Sequence, residues 1–235
     1  MHTDTRRNPT PRFNMLMGMT MAALVVLGFA RTYYLKAWFE TPPLTLRLHL
    51  HGLALTLWLV LFVVQASLVQ AGRRSLHRTL GILGALLAAF IMLITFAAAI
   101  EAARLDGDHG GITAADRLYS SVLVISIFGL FVAMGIAWRR RPEFHKRLML
   151  LATITVIGPG VTRAVALLAG HGIRDSHLPV LFALVLVALL YDWRTRGRPH
   201  WILVSGGALT LALQMTRRLV GASETWSQIG NWLIQ

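Results

Sequence analysis

Long apolar runs separated by short polar stretches dominate the chain, at about 14–35, 47–70, 79–100, 118–138, 148–169, 178–192 and 200–217. Each approaches or reaches the roughly 17–25 residues that a helix needs to cross a bilayer. The pattern predicts an all-α fold, a polytopic transmembrane helical bundle of seven spans. Span six is short and span seven holds Gly206, Gly207 and Gln214, so these two are the weakest of the set. Residues 1–13, polar and with Pro9 and Pro11, read as a short disordered cytoplasmic arm; 14–218 form the bundle; 219–235, with Trp226 and Trp232, read as a periplasmic tail or a helix lying along the outer surface. The first run ends in aromatic residues and lacks a small-residue cleavage pattern, so it reads as a retained helix rather than a signal peptide. The longest loop, 101–117, is acidic and glycine-rich, and Thr113 is placed to cap the helix that follows.

Composition agrees with this picture. Of 235 residues, 55% are hydrophobic and 14% charged, which excludes an ordinary soluble domain. The net charge of +13 would suggest nucleic acid in a soluble protein, but the basic residues sit in alternate loops: Arg6, Arg7 and Arg12; Arg73, Arg74 and Arg78; Arg139, Arg140, Arg141, Lys146 and Arg147; Arg194, Arg196 and Arg198. By the positive-inside rule these loops and the N-terminus face the cytoplasm, as in an inner (cytoplasmic) membrane, and no nucleic-acid partner is expected. Apart from Arg163, the predicted spans hold neutral polar residues such as Gln65, Thr95 and Gln214, and there is no inverted repeat; both weigh against an ion-coupled transporter.

The chain has no cysteine, so thiolate chemistry, disulfides and iron–sulfur clusters are excluded, and redox chemistry would rest on histidine or a bound cofactor. Nine histidines are present, and the informative ones lie at span ends. His77 opens span three and His145 opens span five on the cytoplasmic side. His49 and His51 open span two on the outer side, where His171, His177 and His109 also fall. Two layers of imidazole result. A b-type haem between helices needs two facing imidazoles and small residues beside the porphyrin. His77 shares a face with Gly81, Gly84 and Ala88, a flat surface suited to a ring system or to another helix. His49 and His51, two residues apart, cannot both face one neighbour. The same residues, His51, His77 and His145, would serve a non-haem metal ion. Each has a plainer reading as well: head-group contact for His77 and His145, a helix–helix hydrogen bond for His51. Arg163 follows Gly158-Pro159-Gly160, a kink signal; it would partner a haem propionate or a quinone oxygen, or bond carbonyls at the kink.

The string from Gly28 through "GFARTYYLKAWFETPPLTLRLHLHG", then Trp58, Gln65, "GRRSLHRTLG" and "FHKRLMLLATITVIGPGVTR", resembles a family of small uncharacterised bacterial multi-pass membrane proteins over about residues 20–170. More distantly, the histidines at span ends are similar to haem-binding membrane cores such as the ascorbate-reducible b-type cytochromes and haem A synthase. That resemblance implies haem b or quinone chemistry, with His51, His77, His145 and Arg163 as candidates because their motif positions coincide with the physical argument; His49 and His177 are further candidate cofactor residues from their places at the outer span ends. Three functions follow as expectations: a haem-binding electron carrier exchanging electrons with a quinone, a non-catalytic accessory factor of a respiratory or other membrane complex, or a membrane enzyme with a histidine-bound metal.

Overall fold

The computed structural model describes residues 10–106, 113–173 and 175–235. His2, His109, Arg174 and most of the arm read at 1–13 lie outside the described residues. All regular elements described are helical: α1 (Thr10–Phe29), continued by a π-helical turn (Ala30–Tyr34) and a 3-10 turn (Lys36–Trp38), then α2 (Leu46–Gln70), α3 (Arg74–Asp106), α4 (Ala114–Ala137), α5 (Pro142–Val156), α6 (Gly158–Ala169), α7 (His177–Arg196), α8 (Trp201–Gly221) and α9 (Glu224–Ile234). The arm's last residues, from Thr10, are already helical. Local chemistry sets the boundaries. Thr45, Thr113 and Ser223 cap α2, α4 and α9 by accepting the backbone N–H of Leu48, Asp116 and Trp226. Pro142 occupies the first position of α5. Gly170 (φ +76°) and Gly197 (φ +73°) end α6 and α7 in the left-handed conformation.

Among the described residues five helices are long and apolar enough to cross a membrane: α1 with its π turn, α2, α3, α4 and α7. The pair α5–α6, bent by 50°, makes a sixth if it is one broken span. The fifth predicted run is therefore two helices, and α8 is not one of the five. Aromatic contacts bring several helix ends together. At one end, here called the basic end, Phe13 of α1 stacks on Tyr191 of α7 at 3.9 Å, and Phe144 of α5 meets Trp138 after α4 and His200 before α8. From there α8 packs along α4 and α5 and ends with Gly221 against Asp116, in the first turn of α4. The tail folds as α9 across the far end of the α3–α4 pair. Trp226 Nε1 donates to the Ala115 carbonyl at 2.8 Å, and Arg104 of α3 donates to the carbonyls of Ile234 and Leu233.

The core lies around α4, α5 and α6. Leu148 and every residue from Leu150 to Thr155 of α5 are buried, an all-round burial expected of a central helix. The α5–α6 break sits at Ile157, next to Pro159, which has no N–H to continue the ladder. Gly158 and Gly160 are buried on either side of it. A Cβ on Gly158 would lie 3.3 Å from the His177 ring, and a Cβ on Gly28 of α1 would lie 2.0 Å from the Gly160 carbonyl oxygen. The backbones of α1 and α6 thus touch where neither has a side chain, the close approach that small residues give helices in lipid.

That contact distinguishes two kinds of glycine. Gly28→Ala forces α1 away from α6 and is expected to lower stability by about 1–3 kcal/mol. Gly81→Ala adds a Cβ 3.7 Å from Gln65 Nε2, an ordinary contact, and is expected to be neutral or mildly stabilising because alanine favours the helix by up to about 1 kcal/mol. Unfolding of the purified variants in one detergent, followed by circular dichroism, measures both.

Candidate functional site

The structure brings the two basic-end histidines together. His77 lies in the first turn of α3 and His145 in the first turn of α5, helices that both pack on α4. Their ring centroids are 6.2 Å apart and the planes nearly perpendicular, at 89°. Nδ1 of His145 is 2.9 Å from the carbonyl oxygen of Gly135, in the last turn of α4. A carbonyl only accepts, so this nitrogen carries a proton, and in the neutral imidazole Nε2 is the nitrogen that keeps a lone pair. A Cβ on Gly135 would sit 2.2 Å from Met149 Cε, the free end of a flexible side chain, and 3.5 Å from Leu148 Cβ. On the other side, Gln65 Nε2 of α2 donates to the His77 carbonyl at 3.2 Å. Nδ1 of His77 and Oε1 of Gln65 are both buried without a hydrogen-bond partner among the described residues.

These ligand atoms suit a metal-centred group. A metal-centred group would be held through a ring nitrogen of each histidine that keeps its lone pair, and a ligating histidine ordinarily donates its other N–H to a carbonyl or carboxylate. The expected porphyrin surface on α3 is a different matter. Gly81 and Gly84 face Gln65 and Leu61 of α2, so this glycine face packs against a helix rather than a ring system. Any macrocycle between His77 and His145 would rest on other surfaces. No group of three or more His, Asp or Glu side chains that could hold a metal ion is present among the described residues.

The far-end candidates form no such pair. His51 of α2 is bonded through Nδ1 to Thr95 of α3 at 3.2 Å, the helix–helix contact that its plainer reading anticipated. His177, the first residue of α7, is 6% exposed and bonded through Nδ1 to Thr162 of α6 at 3.2 Å. His49 is exposed, its carbonyl accepting from the Tyr33 hydroxyl and its ring 5.8 Å from the Tyr33 ring. At 1.5 Å per residue along α3, Thr95 lies roughly 27 Å from His77. His51 therefore cannot share one ion with His77 and His145. Arg163, in the second turn of α6, is exposed, lies over the Phe29 ring at 4.7 Å, reaches the Pro159 carbonyl at 3.4 Å and acts electrostatically on His51. It belongs to the far end, roughly 25 Å from His145, so it does not serve the histidine pair.

The sequence reading passed over the strongest polar contact. Arg147, grouped there with the topology-setting charges, is 3% exposed and forms a two-pronged bond to Asp192 of α7, itself 4% exposed: Nε to Oδ2 at 2.8 Å and Nη2 to Oδ1 at 2.5 Å. Its Nη1 donates to the Glu143 carbonyl and carboxylate, and Glu143 also pairs with Lys146 and Arg196. The His200 backbone N–H donates to Asp192 Oδ2 at 3.1 Å, which brings the start of α8 into the same cluster. The available signal was one acidic residue in the last turn of span six and one arginine in the first turns of span five, on the same predicted side.

Removing one member of a buried pair leaves the other charge uncompensated. Arg147→Ala is expected to cost about 3–5 kcal/mol, whereas Arg147→Met combined with Asp192→Leu restores most of that loss; thermal unfolding of both variants in detergent reads the difference. A second expectation concerns pH. Burial first, and then the Arg147 and Arg196 charges, hold the His200 imidazole below its ordinary value of 6.5, against the opposing pull of Asp192 and Glu143. Its Nδ1 also accepts the Ile202 N–H at 3.2 Å, a bond that protonation removes. The unfolded chain therefore takes up the proton at higher pH than the folded one. Its stabilising contribution is complete above 6.5 and declines as pH falls below that value toward the lowered folded one. Stability measured from about pH 7.5 to about pH 5 should fall less steeply in His200→Asn, which keeps a side-chain acceptor for Ile202.

Comparison with protein-family models, curated proteins and solved structures found no match, so nothing from these comparisons links the chain to haem-binding membrane cores.

Proposed function

We propose that this chain is an inner-membrane electron-transfer protein whose cofactor site is the His77–His145 pair at the basic end. The ligand is b-type haem, and the exchange partner is a quinone. The observation that carries this reading is the 6.2 Å separation of the two rings, with His145 fixed by the Gly135 carbonyl so that its other nitrogen keeps a lone pair. A haem held there supplies one-electron chemistry. The chain's own part is to hold the imidazoles: the α4 carbonyl sets the His145 tautomer, Gln65 ties α2 to the start of α3, and α5 lies close to Gly135 of α4. The proposed topology has seven crossings with the N-terminus in the cytoplasm. It is supported by α8, which runs from the basic end to the first turn of α4, alongside a helix long enough to cross.

The accessory-factor reading draws on a separate observation: the glycine face of α3 is occupied by α2, and two of the six candidate residues, His51 and His177, are each bonded to a threonine of a neighbouring helix. The visible spectrum of the detergent-purified full chain, as isolated and after dithionite, separates the two. The expected result is a Soret band and a reduced α-band at about one haem per chain, lost in His77→Ala and in His145→Ala and kept in His51→Ala. A colourless protein that takes up no added haem overturns the electron-transfer reading in favour of the accessory role.

A further inference from the structure

At the end of the bundle away from the histidine pair, Gln214 of α8 is 2% exposed, and its Oε1 has no hydrogen-bond partner among the described residues. A buried acceptor left unsatisfied costs about 1–3 kcal/mol. Gln214 lines an open cavity of about 220 Å³, completed by Asp175, Leu178 and Met215. Asp175, held at φ +59° just before α7, is ion-paired with Arg217 one turn beyond Gln214. The neighbouring Ser176 has a second buried oxygen without a partner among the described residues. Beside this polar group the surface is apolar: Met215 is 72% exposed and Leu219 78%.

The chemistry of these residues defines the occupant. Gln214 Oε1 can only accept, so the ligand must present an N–H or O–H. The adjacent carboxylate–guanidinium pair offers a negative and a positive partner side by side, which matches a zwitterion. The exposed apolar side chains at the mouth would otherwise face lipid tails. We propose that this cavity is a phospholipid headgroup site selective for phosphatidylethanolamine. Its ammonium donates to Gln214 Oε1 on the Asp175 side, its phosphate lies toward Arg217, and its acyl chains run over Met215 and Leu219.

Native mass spectrometry of the full chain, titrated with phosphatidylethanolamine, phosphatidylcholine or phosphatidylglycerol of identical acyl chains, tests this. Phosphatidylcholine keeps the zwitterion but has no N–H. Phosphatidylglycerol has hydroxyl donors but no cation. The expected result is one tightly retained phosphatidylethanolamine per chain, bound about tenfold more tightly than either alternative, as one charge-assisted hydrogen bond would give. Gln214→Leu should bring phosphatidylethanolamine down to the phosphatidylcholine level, while Gln214→Glu, which keeps an acceptor, retains the preference. Equal retention of ethanolamine and choline lipids by the native chain would mean that no N–H donor is read at Gln214 and overturns the proposal. So would tighter binding of phosphatidylglycerol, or a preference that survives in Gln214→Leu.

Discussion

The close approach of α1 and α6 through Gly28 and Gly160 organises the bundle. Because two backbones meet there, the second half of the broken α5–α6 pair is held against α1 rather than continuing straight from α5. The 50° bend follows from that placement and from Pro159, which removes the ladder bond at the break. The bend positions the groups around it. His177 sits over Gly158, Thr162 meets its Nδ1, and Arg163 lies against Phe29 at the end of α1. In hydrocarbon there is no hydrophobic drive between helices, so a contact of this closeness is a main source of packing energy.

Polar contacts are concentrated at the two ends, and they are of different kinds. At the basic end, charge is neutralised within a dense cluster built on Arg147, Asp192 and Glu143, and a few side chains away two imidazoles lie in contact. At the far end the polar links are mostly neutral and pairwise: His51 with Thr95, Tyr34 with Thr56, Trp226 with a carbonyl. Each of these ties one helix to a neighbour. The buried nitrogen of His77 and the buried oxygens of Gln65 and Gln214 stand apart from both patterns because they lack partners among the described residues.

The membrane class was legible because run length and backbone hydrogen bonding leave few alternatives to helices. The meeting of His77 with His145 was also foreseeable, since both open spans on the side marked by the basic loops. The far-end histidines were harder. Their partners, Thr95 and Thr162, are small neutral residues that carry no pattern of their own, so a helix–helix bond could be expected of His51 but its partner could not be named, and the bond of His177 was not foreseen. Periodicity identified a glycine face on α3 but could not say whether a helix or a ring would lie on it. The Arg147–Asp192 pair was hidden for another reason. Its partners belong to different spans, and in a chain with many cytoplasmic-side arginines one more basic residue reads as topology.

The distance along the chain between those two partners, 45 residues, bears on how the protein is assembled in the membrane. During synthesis Arg147 enters well before Asp192, and α7 carries a carboxylate whose only buried guanidinium partner, among the described residues, waits on α5. The packing of α1–α2, α2–α3, α3–α4, α4–α5 and α1–α6 uses no residue of α7. The charge pair is thus a link between two parts of the chain made at different times, and its two-pronged geometry fixes how α7 seats on α5.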